Sequence, residues 1–177
     1  MLLHRSPPSL FALIIGIDEY ESTHVGRLSG AVQDADAVRY YLREHLGVPS
    51  SQIMNLRNSD GTRAAIIDGI NAFSLNDEIK KGDPILIYYA GHGGSTADAS
   101  FGWVDGSTGK MSFLIPYDAK HVIPNRTLRT LLSRLAIKKG DNIVRQTFIL
   151  WVFYLSTNYV IDSHPRLFIF WFWPTKL

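Results

Sequence analysis

The segment PILIYYAGHG, residues 84–93, carries the clearest structural signal in this sequence. It is a continuous apolar run of strand length that ends in glycines, as expected of a buried strand in a parallel sheet. His92 lies between Gly91 and Gly93, where small neighbours leave an imidazole uncrowded and let another backbone approach. Because loops beyond the carboxyl ends of parallel strands carry the chemistry of such folds, His92 is a candidate site residue. A histidine between glycines is also often structural.

Strands and helices alternate on both sides of this segment. Apolar runs predict strands at 11–18 and 52–58, and NIV at 142–144 predicts the start of a further strand. Apolar residues at helical spacing predict helices over 28–47, 62–75 and 126–140. Residues 94–120 are rich in turn formers and predict short strands at 101–104 and 111–118. This order predicts an α/β fold with a mostly parallel sheet and helices on both faces.

Composition excludes several kinds of protein. The chain has 177 residues, of which 18 are basic and 16 acidic, and it contains no cysteine. One domain is expected at this length. The net charge of +2 is too small to indicate a nucleic-acid partner. The absence of cysteine excludes disulfides, thiolate metal sites and a cysteine nucleophile.

The composition changes near Val144. Residues 1–144 carry equal numbers of basic and acidic side chains, whereas the last 33 residues hold 10 of the 21 aromatics and none of the 14 glycines. We therefore divide the chain into an N-terminal extension (1–9), a body (10–144) and an aromatic tail of a different kind (145–177).

Targeting, membrane and cofactor signals are weak. The apolar run that begins at Leu10 stops at Asp18 without a cleavage site, and the apolar runs at 147–155 and 167–173 are shorter than the ~20 residues that span a bilayer. A cytoplasmic location without a membrane span is expected. No histidine pair has metal-ligand spacing, and DGSTGKMS at 105–112 lacks the spacing of a phosphate loop. We expect neither a metal nor a cofactor.

Several segments in order resemble the caspase-like cysteine peptidases, especially the metacaspase-type domains of fungi. They are FALIIGIDEY, LSGAVQDADAVRYYL, DPILIYYAGHGG, LIPYDA and RTLRTLLSRLA before KGDNIV, and they cover roughly residues 10–144. The resemblance implies a caspase-like three-layer sandwich, incomplete at its C-terminus. It also implies a cysteine endopeptidase of polypeptide substrates, in a family associated with programmed cell death.

The resemblance assigns roles to three residues. His92 would assist the thiolate and protonate the leaving amine, and the N–H of Gly93 would help form the oxyanion hole. Asp34, in the segment LSGAVQDA, would bind a basic side chain before the scissile bond. The alternative for Asp34 is a solvated acid in the first turn of a helix, stabilised by the helix dipole. The family's calcium site is not expected, because residues 95–109 contain only two acidic residues, Asp98 and Asp105.

The nucleophile departs from the family pattern. The family's fourth strand ends in a cysteine-bearing motif, but this chain continues as NIVRQTFILWVFYL. The chain as written is therefore expected to be inactive. One hypothesis is a truncated peptidase domain followed by an unrelated tail. The other is a non-catalytic pseudo-peptidase that binds protein partners through its exposed sheet and aromatic tail. Self-association through the exposed sheet edge and the aromatic tail is a separate expectation.

Overall fold

Seven strands and three α-helices form the described part of the chain, residues 9–96 and 111–149 of a computed structural model. In chain order they are β1 (Phe11–Gly16), α1 (Ala31–Tyr40), β2 (Ile53–Arg57), α2 (Arg63–Leu75), β3 (Ile85–Gly91), β4 (Gly93–Thr96), β5 (Met111–Leu114), β6 (Ile123–Pro124), α3 (Asn125–Lys139) and β7 (Ile143–Ile149). The strands and helices predicted around His92 are present. The predicted strand at 101–104 lies outside the described residues.

A parallel sheet has the strand order β2-β1-β3-β7. β1 lies inside this sheet, and all six of its residues are buried, which explains why the sequence shows an unbroken apolar run there. The predicted strand that begins at NIV is confirmed, because Ile143 pairs with Ile85 of β3. β7 then continues to Ile149, so it includes residues on both sides of Val144.

Helices cover both faces of the sheet. On one face, α1 packs through Ala31 and Ala35 against Ala12, Ile14 and Ala90. On the other face, α2 and α3 pack against the alternate strand residues, with Ile66, Ile70, Leu128, Leu131 and Leu135 in the same core as Leu13 and Ile15. Because side chains alternate along a strand, β1 feeds both cores. The predicted three-layer α/β fold is confirmed.

A second, antiparallel sheet of three strands, β4-β5-β6, follows β3 directly. Of the predicted strand at 111–118, only Met111–Leu114 is extended. The predicted helix at 28–47 is shorter as well, since the α-helix begins at Ala31 and gives way to a π-helical turn at Tyr41–His45. Within the described residues, no helix is both long and apolar enough to cross a membrane.

Candidate functional site

His92 is held in a buried position immediately after β3. Only 4% of the residue is exposed. Its Nε2 lies 2.8 Å from the carbonyl oxygen of Gly26, in the loop that follows β1. A carbonyl oxygen can only accept, so in this contact Nε2 carries the hydrogen. Nδ1 is then the basic nitrogen of the neutral ring, which is the form that a general base requires.

Tyr20 holds the backbone of His92. The N–H of His92 donates to the Tyr20 hydroxyl oxygen over 2.7 Å, and the two ring centroids are 5.1 Å apart. Burial raises the pKa of Tyr20 well above its ordinary value, so the phenol stays neutral at physiological pH. The imidazole is therefore packed against an aromatic ring. The prediction that Gly91 and Gly93 leave this imidazole uncrowded was wrong.

Tyr89, in β3, supports the same segment through a second hydroxyl. Its hydroxyl lies 2.8 Å from the carbonyl oxygen of His92 and 2.7 Å from that of Ile115. Gly91 makes this arrangement possible: a Cβ there would lie 2.8 Å from the Tyr89 hydroxyl and 3.1 Å from the Tyr20 hydroxyl. The glycine before His92 thus makes room for two phenol hydroxyls.

The N–H of Gly93 points away from the neighbouring strand. Gly93 pairs with Leu114 in the antiparallel ladder of β4 and β5. One residue earlier, the N–H of Ile115 donates to the carbonyl of His92 over 3.0 Å. Because consecutive residues in an antiparallel strand direct their polar groups to opposite sides, the N–H of Gly93 faces the side of β4 that is away from β5. An oxyanion donor needs that orientation.

Asp18 ties the end of β1 to the start of α1. Its two carboxylate oxygens accept hydrogen bonds from Ala31 N at 2.8 Å and Val32 N at 3.1 Å. These N–H groups have no partner inside the helix, and a carboxylate there also benefits from the helix dipole. The Asn58 side chain in turn accepts from the N–H of Asp18 at 2.9 Å. The sequence did not predict a role for Asp18. The feature that could have indicated its role as a helix cap is the position of an acidic residue directly after a buried strand and before a helix.

Asp34 lies in the first turn of α1, at the same end of the sheet as His92. It is exposed, and its N–H donates to Gly30 O over 2.9 Å. Burial, with a further contribution from the Asp34 charge, raises the pKa of Tyr88 well above its ordinary value. The Asp34 carboxylate therefore lies near enough to Tyr88 of β3 to disfavour the ionised form of that phenol.

Arg57 brings a positive charge to this face. Its guanidinium donates to Ile14 O at 2.9 Å and to the Asp36 carboxylate at 3.1 Å. Asp34 takes part in none of the ion pairs among the described residues. The described residues also contain no group of three histidine, aspartate or glutamate side chains placed to hold a metal ion.

Comparisons with known proteins indicate one family from the sequence and a similar fold from a solved structure. A family model for the caspase domain matches residues 9–150. Metacaspase-1A of Aspergillus oryzae is 28% identical over 133 residues, which are 70% of this chain and 30% of the relative. A crystal structure of a Geobacter sulfurreducens protein superposes with a TM-score of 0.60 at 23% identity, over 80% of this chain and 50% of that one. The chain thus spans half or less of each of these two relatives.

Proposed function

Because residues 9–150 match the caspase domain, the chain belongs to the caspase family, and from that premise we propose that it carries the histidine half of a cysteine endopeptidase site. The observation that carries this proposal is the buried His92 ring, fixed through Nε2 to Gly26 at the carboxyl end of a central strand. A ring held in this way presents a defined basic nitrogen, as acid–base catalysis requires.

The proposed chemistry divides between two neighbouring residues. Nδ1 of His92 would take the proton of an attacking thiol and return it to the leaving amine. The outward N–H of Gly93 would stabilise the negative oxygen of the tetrahedral intermediate. The two residues are adjacent in the chain, where β3 ends and β4 begins.

The sequence does not contain the sulfur that this chemistry needs. None of the 177 residues is cysteine. Serine or threonine hydroxyls are far less acidic than a thiol, so a site built for a thiolate would not activate them well. We propose that the chain by itself does not hydrolyse peptides.

Asp34 is proposed to select a basic residue of a bound polypeptide. Its exposed carboxylate has no ion-pair partner among the described residues, since Arg57 pairs with Asp36 instead. A carboxylate without an ion-pair partner, at the end of the sheet where His92 lies, favours the binding of an arginine or lysine side chain of the polypeptide. Ala31 and Ala90 stand where family members often have cysteine and serine, and both are buried in the same core cluster.

A thiol-rescue experiment tests the role of His92. Ile149, the last residue of β7, pairs with Gly91, which directly precedes His92, so an Ile149→Cys variant introduces a cysteine opposite this part of β3. We expect iodoacetamide to alkylate this thiol about tenfold faster at neutral pH than the thiol of the Ile149→Cys/His92→Ala variant, because an imidazole partner favours the thiolate. Equal rates would refute the assignment of His92.

A binding experiment tests Asp34. Fluorescent tripeptides ending in arginine should bind the unaltered chain without being cleaved, and Asp34→Asn should weaken that binding about tenfold, as loss of a charge-assisted contact predicts. Asp68→Asn, which removes an exposed carboxylate from α2, is the matched control and should bind normally. Equal weakening by both variants would remove the specific role of Asp34.

The second candidate is a pseudo-peptidase that binds polypeptides without cleaving them. It is favoured by one observation, the close packing and hydrogen bonding of His92 in a chain without cysteine. Binding of the arginine peptide without hydrolysis fits this candidate. Recovery of hydrolysis when a longer product of the same gene supplies the cysteine would favour a peptidase instead.

A further inference from the structure

The outward face of α3 is strongly basic. Leu128, Leu131 and Leu135 turn inward to the core, while the exposed side chains include Arg126, Arg129, Arg134 and Lys138. The helix contains no acidic residue, and it carries five of the 15 basic residues found in residues 1–144. Because residues 1–144 have no net charge, this positive field is local to one helix.

These cations are not neutralised within the described residues. The ion pairs found there join Arg27 to Glu19, Arg43 to Glu44, Arg57 to Asp36 and Lys120 to Glu21, and none of them uses a side chain of α3. An uncompensated cluster of like charges is unfavourable for the fold and favourable for binding an anion.

Arg145 of β7 adds to the positive charge at the start of the helix. It pairs in register with Ile87, and its Nη1 donates to the Asn125 side chain over 3.2 Å. Burial lowers the pKa of Arg145, and the nearby charge of Arg129 lowers it further. The charges of Arg145 and Arg129 therefore add to one positive potential at the start of α3.

We propose that the outward face of α3 is a docking surface for an acidic segment of another protein. The surface comprises Arg126, Arg129, Arg134 and Lys138 together with Ile137. From Arg126 to Lys138 the helix extends about 18 Å, the length of five to six residues of extended peptide. Ile137 is 79% exposed and lies among the cations. A peptide that mixes carboxylates with apolar side chains matches this combination better than a phosphate backbone does.

This surface is separate from the proposed peptidase site. α3 packs in the core that contains Leu13 and Ile15, whereas α1, which carries Asp34, packs on the opposite face of the sheet. Docking on α3 therefore requires neither the missing nucleophile nor the Asp34 carboxylate. If the arginine-peptide experiment fails, this proposal still stands or falls on its own test.

The test measures binding of labelled hexapeptides to the full chain by fluorescence anisotropy. Hexaglutamate should bind, with an affinity that falls as NaCl rises from about 50 to about 300 mM, whereas hexaglutamine and hexalysine should not bind. In the triple variant Arg126→Gln/Arg129→Gln/Arg134→Gln the affinity should fall at least about tenfold. Glutamine is a good helix former and the replaced side chains are exposed, so circular dichroism should show an unchanged fold.

The matched control removes the same charge elsewhere. Arg43→Gln/Lys80→Gln/Lys81→Gln alters three exposed cations outside α3 and should retain the binding of the unaltered chain. Equal losses in the two triple variants would overturn the proposal, because they would indicate a general charge effect. It would also be overturned if phosphatidylserine vesicles or a DNA duplex bound through α3 while hexaglutamate did not.

Discussion

The hydroxyl of Tyr20 and the backbone nitrogen of His92 are 2.7 Å apart, although 72 positions separate the two residues in the sequence. This hydrogen bond joins the loop after β1 to the turn after β3. The Gly26 carbonyl, in the same loop as Tyr20, accepts from the His92 ring. The backbone and the side chain of His92 are thus both fixed by one loop.

The Tyr20→Phe variant should therefore destabilise the fold as well as the site. It keeps the aromatic ring but leaves the buried N–H of His92 without its acceptor, which costs about 1–3 kcal/mol. Urea unfolding followed by circular dichroism measures the change. Tyr41→Phe, at a site 54% exposed, is the control and should change the free energy of unfolding little. Equal stabilities of the two variants would contradict the structural importance of this bond.

Asp18→Ala should weaken the start of α1. The substitution removes the acceptor of the Ala31 and Val32 N–H groups and a negative charge at the positive end of the helix dipole. A loss of about 1–2 kcal/mol in the free energy of unfolding is expected. The exposed Asp68→Ala variant should lose much less. If Asp18→Ala unfolded at the same urea concentration as the unaltered chain, the capping role would be wrong.

Gly16→Ala should be poorly tolerated where β1 meets α1. A Cβ at this position would lie 2.7 Å from the Cβ of Ala35 and 2.8 Å from the carbonyl oxygen of Ala31. Backbone and a short side chain cannot move aside easily, so we expect a loss of about 1–3 kcal/mol. Gly30→Ala is the matched control, because no atom lies within 4 Å of a Cβ there. Thermal unfolding should separate the two variants clearly, and a similar midpoint for both would show that the helix can shift.

Stability should fall in alkaline solution through the buried tyrosines. Burial raises the pKa of Tyr89 above the ordinary tyrosine value of about 10. The folded state then holds its proton at a pH where the unfolded state has lost it. The stabilisation is complete below about pH 10 and is lost as the pH rises toward the higher folded-state pKa, by about 1.4 kcal/mol per pH unit.

The Tyr89→Phe variant isolates this effect. It should be less stable than the unaltered chain at pH 8, because the carbonyl oxygens of His92 and Ile115 lose the one hydroxyl donor that lies between them, but its stability should decline less steeply above pH 10. Tyr40→Phe, at a site 62% exposed, should keep the steeper decline. Parallel declines for Tyr89→Phe and Tyr40→Phe would show that Tyr89 does not contribute. Urea unfolding at a series of pH values gives all three curves.

The elements that could be predicted from sequence are those with a strong hydrophobic pattern. β1 and β3 are buried on both faces, so their apolar runs are unbroken, and α3 shows helical spacing of its leucines. β4 was not predicted because its sequence, GGST, has neither apolar alternation nor β-branched content before Thr96. A strand of this kind forms because its partner strand, β5, lies beside it.

The site could be predicted only in part. His92 was found from its glycine neighbours and from the family resemblance. Its partners, the Tyr20 hydroxyl and the Gly26 carbonyl, lie 72 and 66 positions away in the sequence, and contacts over such separations leave no local residue pattern. The roles of Gly93 and Asp34 remain predictions. So do the division of the chain at 1–9, 10–144 and 145–177, the cytoplasmic location and the self-association.

The strand order of the parallel sheet also has a consequence for the speed of folding. Phe11 pairs with Ile85, Ala12 with Ile53 and Ile85 with Ile143, so every ladder joins segments about 40 or more positions apart. No two strands of this sheet can meet as a local hairpin. Closing such long loops costs conformational entropy before the strand contacts that offset this cost have formed. We therefore expect the chain to refold slowly for its size. During synthesis, β3 leaves the ribosome well before β7, and the apolar edge that β7 will cover is exposed to chaperones in that interval.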